Sequence, residues 1–531
     1  MVDVAQIARV NGDQFYGIEI DEWPARIAEV AMWLMDHLMN RDLSEKLGQY
    51  FARLPLAKAA RILQANALRT DWKALLPPEQ CSYVMGNPPF RGSKWQSDEQ
   101  RADMESVFGQ LKNFGSLDFV AVWYFKAADY MRDNPAITCA FVSTNSITQG
   151  EQVGILWPAL YELGAKIHFA HRTFKWESEA RGKAHVHVVI IGWALRDAPR
   201  KLLFDYDGET AQVSTPRNIN PYLVDGPDTT VVSRPKPLCN VPEIAIGNKP
   251  IDDGNYLFTE VEKAEFLKIE PAAAEFFRPW IGSDEFINGW QRWCLWLGDC
   301  PTQKLREMPE AMKRIQAVRD FRLASQSAPT NKLAETPTRF HVENMPSGPM
   351  LVLPQVSSER RFYMPIGYMN GSNVLCGDKV RLFPNATLYH FGILTSAMHM
   401  AWMRQVTGRL KSDYSYSIKL VYNNFPWPEK IADERKAEIE RLAQAVLDER
   451  ARHLEKGATL ADLYDPVTMP PGLAKAHAAL DRAVDRAYRP APFETERARV
   501  EHLFARYQAL TTLFPAKPPK KPRKKQAAGG A

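Results

Sequence analysis

No apolar run in this chain approaches the roughly 18 residues that a membrane span requires, so the sequence reads as a soluble protein with no membrane partner. The opening stretch MVDVAQIARVNGDQF lacks the basic-then-apolar pattern of a secretory leader, and the expected compartment is the cytoplasm. Cysteine is sparse. Cys81, Cys139, Cys239, Cys294, Cys300 and Cys376 form no CxxC pair and have no histidine partner at zinc spacing, in a chain too long to need disulfide staples. Reduced thiols and no metal are expected. Strong charge is missing too. The formal net charge is +5, yet PAKPPKKPRKKQAAGGA at the end holds Lys517, Lys520, Lys521, Arg523, Lys524 and Lys525 without an acid, so the rest is near neutral. Such a Pro/Lys-rich stretch is expected to be disordered. It either adds salt-sensitive attraction to phosphates or merely solubilises.

What is present is ordinary globular material: 531 residues, 45% hydrophobic and 24% charged, enough for two or three domains. From about residue 14 to 195, short β-rich runs alternate with helical patterns, which predicts an α/β sheet. The strand candidates are Phe15–Ile20, Ala59–Leu63, Ser82–Met85, Ile137–Val142, Lys166–Ala170 and His185–Gly192. Between the first two, Ile27, Val30, Ala31, Leu34 and Leu38 recur on one helical face, and 117–131 predicts a largely buried helix. This gives a first domain over 1–198. Over 199–430 prolines, glycines and short strand-like runs mix with isolated helices such as 303–325, which reads as a separate α+β or β-rich domain. Long amphipathic helices over 431–453 and 473–511 predict a helical region over 431–514, and 515–531 forms the basic tail. The first of these helices has Ile439, Leu442, Val446 and Leu447 on one stripe.

The chemistry concentrates in Asn87-Pro88-Pro89-Phe90, which follows the run CSYVM. The asparagine sits where a parallel strand hands over to a loop, the edge at which open α/β sheets bind ligands. Such a pattern suits methylation of an exocyclic amine, whose lone pair is delocalised into the base ring. The Asn87 side-chain oxygen and the Pro88 carbonyl can accept both amino hydrogens and aim the lone pair at a methyl donor. Consecutive prolines fix φ and hold that carbonyl in one direction. Phe90 offers a face for a flipped base. A plain Pro-Pro turn ending a strand is the competing reading.

Upstream, Phe15-Tyr16-Gly17-Ile18-Glu19-Ile20-Asp21 is an apolar strand ending in acids, and Glu19 fits an acid that binds ribose hydroxyls. Asp21 or Glu22 fits a helix cap. Asn66 could read an adenine edge with its amide or simply make a turn. Downstream, FAHRTFKW reads as a strand end entering an aromatic and basic loop, where Phe174 either supplies a second wall for an extruded base or plugs the loop. His171, His185 and His187 lack the carboxylate or cysteine that a metal set needs.

Taken together, GIEIDE, NALRTDW, GNPPF, SLDFVAVWYFKAADYM, STNSITQG and RTFKWESEARGKAHVHVVIIGW resemble the gamma-type adenine-N6 DNA methyltransferases. The likeness is to the methyltransferase half of large single-chain restriction-modification enzymes. RPWIGSDEFINGWQRWCLWL, GRLKSDYSYSIKLVYNNFPWPE and AKAHAALDRAVDRAY resemble their target-recognition and C-terminal segments. The resemblance implies S-adenosyl-L-methionine as cofactor, double-stranded DNA as partner, and methyl transfer to adenine N6. It implies Asn87, Pro88, Pro89 and Phe90 as catalytic, Phe174 as base-stacking, and Glu19, Ile20, Asn66 and Ala67 as cofactor-binding.

Within 199–430, basic and aromatic residues cluster at Arg278/Trp280 with Arg292/Trp293, at Arg360/Arg361/Tyr363, and at Arg404, Arg409, Lys411 and Tyr414 with Tyr416. The last cluster is expected to face DNA. The tryptophans of WQRWCLWL are expected in the core. The departure from the family is at the start, where Met1 lies directly ahead of what resembles the second strand. The implied fold is a Rossmann-like methyltransferase sheet lacking its first strand, then an α+β target-recognition domain and C-terminal helices. A split enzyme whose separately encoded N-terminal piece carries the glycine-rich loop, a misplaced start codon and a decayed fragment all fit. The competing functions are an inactive or partner-dependent DNA-binding fragment, and methylation of protein glutamine or of RNA adenine.

Overall fold

The computed structural model describes residues 10–48, 59–176, 186–208, 210–410 and 412–512. His185, Lys411 and the basic tail over 515–531 lie outside the described residues. The chain divides into two compact units, the first comprising 1–148 and 152–230, the second 149–151 and 231–531. No helix among the described residues is long and apolar enough to cross a membrane.

The strands of the first unit are β1 (Tyr16–Glu19), β2 (Arg61–Gln64), β3 (Tyr83–Gly86), β4 (Thr138–Thr144), β5 (Lys166–Trp176), β6 (Val186–Ala194), β7 (Leu202–Asp207) and β8 (Thr210–Ser214). Its helices are α1 (Glu22–Leu47), α2 (Trp72–Leu75), α3 (Asp98–Phe108), α4 (Ala121–Met131) and α5 (Gly150–Glu162). β1 and β2 pair in parallel, with Glu19 opposite Gln64. The other six strands form one sheet in the order β3-β4-β6-β5-β7-β8, with β3 parallel to β4 and β6 antiparallel to both β4 and β5. The expected sheet is present, and so is the expected break: among the described residues β1 and β3 are not hydrogen-bonded to each other.

Burial explains why the six-stranded part is solid. α4 is apolar nearly all round, and Val122, Tyr124, Ala127, Ala128 and Met131 are fully buried. The Tyr124 ring lies 5.2 Å from Phe141 and 6.0 Å from Trp193, and its hydroxyl hydrogen-bonds Ser143 at 2.8 Å. Opposite Phe169, β6 carries Gly192, where a Cβ would meet the Phe169 ring at 2.0 Å, so only glycine lets that ring lie across the strand.

The α1 stripe behaves differently from its periodicity. Ile27, Val30, Ala31 and Leu34 are all exposed, as are Trp23, Met35 and Met39. The edge strand β3 likewise exposes Tyr83 and Met85 at above 70%. Amphipathic spacing marks a face made to be covered; it does not say by what.

β5 also runs further than its sequence pattern suggested, to Trp176 instead of ending near Ala170. Register shifts between Ile167/Phe169 and His171/Phe174 absorb extra residues without breaking the pairing with β6. A bulge is what lets aromatic and β-branched residues remain in a ladder that simple alternation would have ended.

The second unit is α+β. One sheet takes Leu257–Phe258, Arg292–Leu295, Phe277–Ile281 and Leu375–Cys376 in that order, and another takes Gly367–Asn370, Pro349–Pro354, Val380–Pro384 and Ala245–Ile246. Phe258, Phe277, Trp280 and Trp296 are buried together in its core. Trp296 meets the expectation for WQRWCLWL, Trp293 is partly buried, and Trp290 stays exposed. The chain then closes with helices Asp433–Leu454, Pro471–Tyr488 and Glu496–Thr512. The single helical run expected over 473–511 is therefore two. Pro490 and Pro492 separate them, because proline supplies no N–H for a continuing helix.

Candidate active site

β3 ends at Gly86, and the next four residues leave the ladder. Pro88 is buried and Phe90 half-buried, while Asn87 is exposed and makes no side-chain hydrogen bond among the described residues. The loop is stiff where it matters: a proline packed into the unit on one side and an amide free for a ligand on the other.

The segment after the tetrapeptide is tied down by Asp118. Its Oδ1 accepts the Ser93 N–H at 3.1 Å, and its Oδ2 accepts the Ser146 hydroxyl at 2.5 Å, which in turn meets Thr144 at the end of β4 at 2.7 Å. The Phe119 N–H donates to the Arg91 carbonyl at 2.8 Å, and the buried Gln96 side chain donates to the Leu117 carbonyl at 2.9 Å. Thus the ends of β3 and β4 and the start of α4 fix one another. An acid just ahead of the apolar helix in SLDFVAVWYF was the available signal for Asp118.

At the ends of β1 and β2, Glu19 Oε1 accepts the Asp21 N–H at 3.2 Å. Its other oxygen has no partner among the described residues. Asp21 occupies the N-cap position of α1 but makes no side-chain cap bond. Ile20 projects into solvent.

Asn66 is far more committed. Its Nδ2 donates to Asp103 Oδ2 at 2.9 Å and its Oδ1 accepts the Leu68 N–H at 2.9 Å, so it makes the turn that the sequence left open as one reading. Asp103, buried on α3, also takes Arg69 Nε at 2.6 Å. From α4, Lys126 Nζ donates to the carbonyls of Leu68 and Thr70, both at 2.9 Å, and partial burial lowers its pKa below the usual lysine range. Ala67 offers its carbonyl to Trp72 Nε1 at 2.9 Å. Through α3 and α4, the loop after β2 is fastened to the body that holds Asn87.

Phe174 lies within β5, not in a loop, with its ring centroid 5.1 Å from that of Tyr206. His171 Nδ1 meets the Tyr206 hydroxyl at 2.6 Å and its ring stacks on Phe204 at 4.2 Å, which is sheet packing. Burial lowers the His171 pKa.

Comparison with known proteins identifies the parts. Residues 2–205 match the MmeI DNA-methyltransferase domain, 225–429 the MmeI target recognition domain, and 431–514 the MmeI C-terminal domain. The solved structure of the Type IIL restriction-modification enzyme MmeI in complex with DNA superposes with a TM-score of 0.85 at 47% identity, over 96% of this chain and 68% of that one. The chain belongs to the MmeI family. A further relative is DNA methyltransferase A of Bacillus subtilis (strain 168), 41% identical over 508 residues, 95% of this chain. The chain spans 57% of that relative's length.

With the MmeI-type recognition domain assigned, its basic clusters can be placed. Arg404 is 19% exposed at its side chain. Its guanidinium is taken by Glu496 at 2.5 Å and by the carbonyls of Phe362 at 2.5 Å and Arg361 at 3.3 Å. Tyr414 is buried beneath Arg409, whose guanidinium carbon sits 4.4 Å from its ring centroid. Arg409 also donates to the Ser412 carbonyl at 2.9 Å and faces Glu359 at 3.4 Å. Arg292 is paired with the buried Glu285, and Trp280, Tyr416 and Trp296 are core. Arg404 and Tyr414, expected at a DNA surface, are thus occupied within the protein. A sequence shows charge and aromaticity but not the long-range partners that consume them.

Proposed function

We propose that this MmeI-family chain transfers a methyl group from S-adenosyl-L-methionine to N6 of an adenine flipped out of a specific site in double-stranded DNA. The carrying observation is the pairing of an exposed, unbonded Asn87 amide with a buried Pro88 at the carboxyl end of β3. Asn87 Oδ1 and the Pro88 carbonyl accept the two amino hydrogens, and Phe90 lies under the base. Phe174, braced by Tyr206, forms the opposing wall. Fixed acceptors aimed at the charge that develops on the amine act without reorganising, the arrangement that contributes most to such transfers.

The cofactor's part is to present an electrophilic methyl on a sulfonium. The donor set fits it in part: the free oxygen of Glu19 can accept ribose hydroxyls, exposed Ile20 can cover the adenine, and Ala67 with the remaining amide hydrogen of Asn66 can meet its edge. What would hold the methionine part is a glycine-rich loop, and the unpaired edges of β1 and β3 support a strand bearing it between them. A separately encoded N-terminal piece or a preceding segment of the same polypeptide supplies that strand. The open edges also favour the second reading, a DNA-binding fragment that transfers methyl only with that piece. DNA contact belongs to the antiparallel strands Gly408–Leu410 and Asp413–Ser415, with Arg409 and Lys411 as cations, Tyr414 beneath Arg409, and Arg404 bracing the neighbouring Arg361-Phe362 segment.

The test is transfer of labelled methyl to DNA by the chain with and without the N-terminal piece. Asn87→Ala is expected to lower transfer by about 100-fold or more with DNA affinity unchanged. Transfer retained by that variant removes Asn87 from the chemistry.

A further inference from the structure

Phe362 projects into solvent with 60% of its surface exposed, beside the exposed Arg360. A single apolar side chain on a surface is ordinary and implies nothing alone. What distinguishes this one is how firmly its backbone is held. Arg404 donates to the Phe362 carbonyl and to that of Arg361, and is itself anchored by Glu496. The next residue, Tyr363, donates its hydroxyl to Asp481 at 2.6 Å and stacks on His477 at 4.1 Å. Before it, the Arg361 N–H closes a turn onto the Ser358 carbonyl at 3.2 Å, and Ser357 pairs with Tyr414 of the 408–415 hairpin. Arg361 lies close enough to Asp413 for their charges to interact.

Arg404, Asp481 and His477 are groups that are costly to desolvate, and all three serve one short loop whose tip is an aromatic ring facing outward. The outcome is a rigid wedge next to a basic hairpin. Rigid apolar side chains of this type enter base steps and unstack them, and a pre-fixed backbone loses little entropy in doing so. We infer that Phe362 inserts into the DNA base stack within the recognised site, with Arg404 as the positioning residue that keeps it extended. This rests on the DNA-methyltransferase reading above.

The experiment uses the full chain. Duplexes enriched by it from a randomised library are resynthesised with 2-aminopurine at successive positions, and fluorescence is read on binding. The wild type is expected to raise emission at least fivefold at one step. Phe362→Ala is expected to lose two thirds or more of that rise with an unchanged unfolding midpoint, Phe362→Leu to keep it, and Arg404→Ala to fall between. A rise in Phe362→Ala equal to wild type, with enrichment intact, overturns the wedge alone. No enrichment by the wild type overturns the DNA-recognition reading, and the wedge with it.

Discussion

Asn66 and Asn87 carry the same side chain and each follows the end of a parallel-paired strand, β2 and β3, yet their surroundings give them different roles. Asn66 has both ends of its amide occupied by Asp103 and Leu68, whereas Asn87 has neither. An exposed amide without a protein partner is satisfied by water and remains available to a ligand, which the occupied amide of Asn66 is not. Arg322 shows the opposite case. It is fully buried and its five hydrogen bonds all go to carbonyls, those of Pro250, Ile251, Leu333, Thr336 and Arg339, with no carboxylate among them. It is a staple for the recognition unit. Arg322→Met is expected to destabilise by about 3 to 5 kcal/mol, since it strands several buried acceptors at once. A urea titration followed by tryptophan fluorescence measures it; a loss under about 1 kcal/mol would mean that the carbonyls find other donors. The sequence could not reveal Arg322, because its partners are backbone groups up to 72 residues away.

At the level of elements, periodicity located β1 to β6, α1 and α4 of the first unit, whereas β7 and β8, which extend the same sheet past residue 198, and α2, α3 and α5 were not singled out. It failed where pairing depended on distant chain. β5 continued to Trp176 because β6 was there to pair with it, and a bulge absorbed the mismatch. The α1 stripe was read correctly as a face but not as an uncovered one. Leu34→Glu tests this directly. With Leu34 exposed, the chain alone is expected to keep its unfolding free energy within about 0.5 kcal/mol, while capture of an N-terminal strand-bearing piece weakens. A loss of about 2 kcal/mol or more in the chain alone, the range for a core leucine, would show that the face is already buried. The Asn-Pro-Pro-Phe loop was legible because its chemistry is local. The Asp118 and Asp103 anchors were less so, since each joins segments about 25 to 37 residues apart.

For the whole molecule, three successive matches to the MmeI methyltransferase, recognition and C-terminal domains account for nearly all of the sequence. The second unit has buried apolar clusters, whereas among the described residues of the first β1 and β3 each leave one edge unpaired and α1 exposes an apolar face. An isolated two-stranded sheet is marginal in water, so pairing both edges with one further strand should stabilise the cofactor side most. The product made when that strand is present decides which atom receives the methyl group. The measurement is mass spectrometry of nucleosides from DNA incubated with the chain, a polypeptide bearing the proposed glycine-rich strand and S-adenosyl-L-methionine with a deuterated methyl group. Deuterated N6-methyl-2′-deoxyadenosine, absent with Asn87→Ala, is the expected result. Label on cytosine, on protein or nowhere, with DNA bound and both pieces folded, would contradict it.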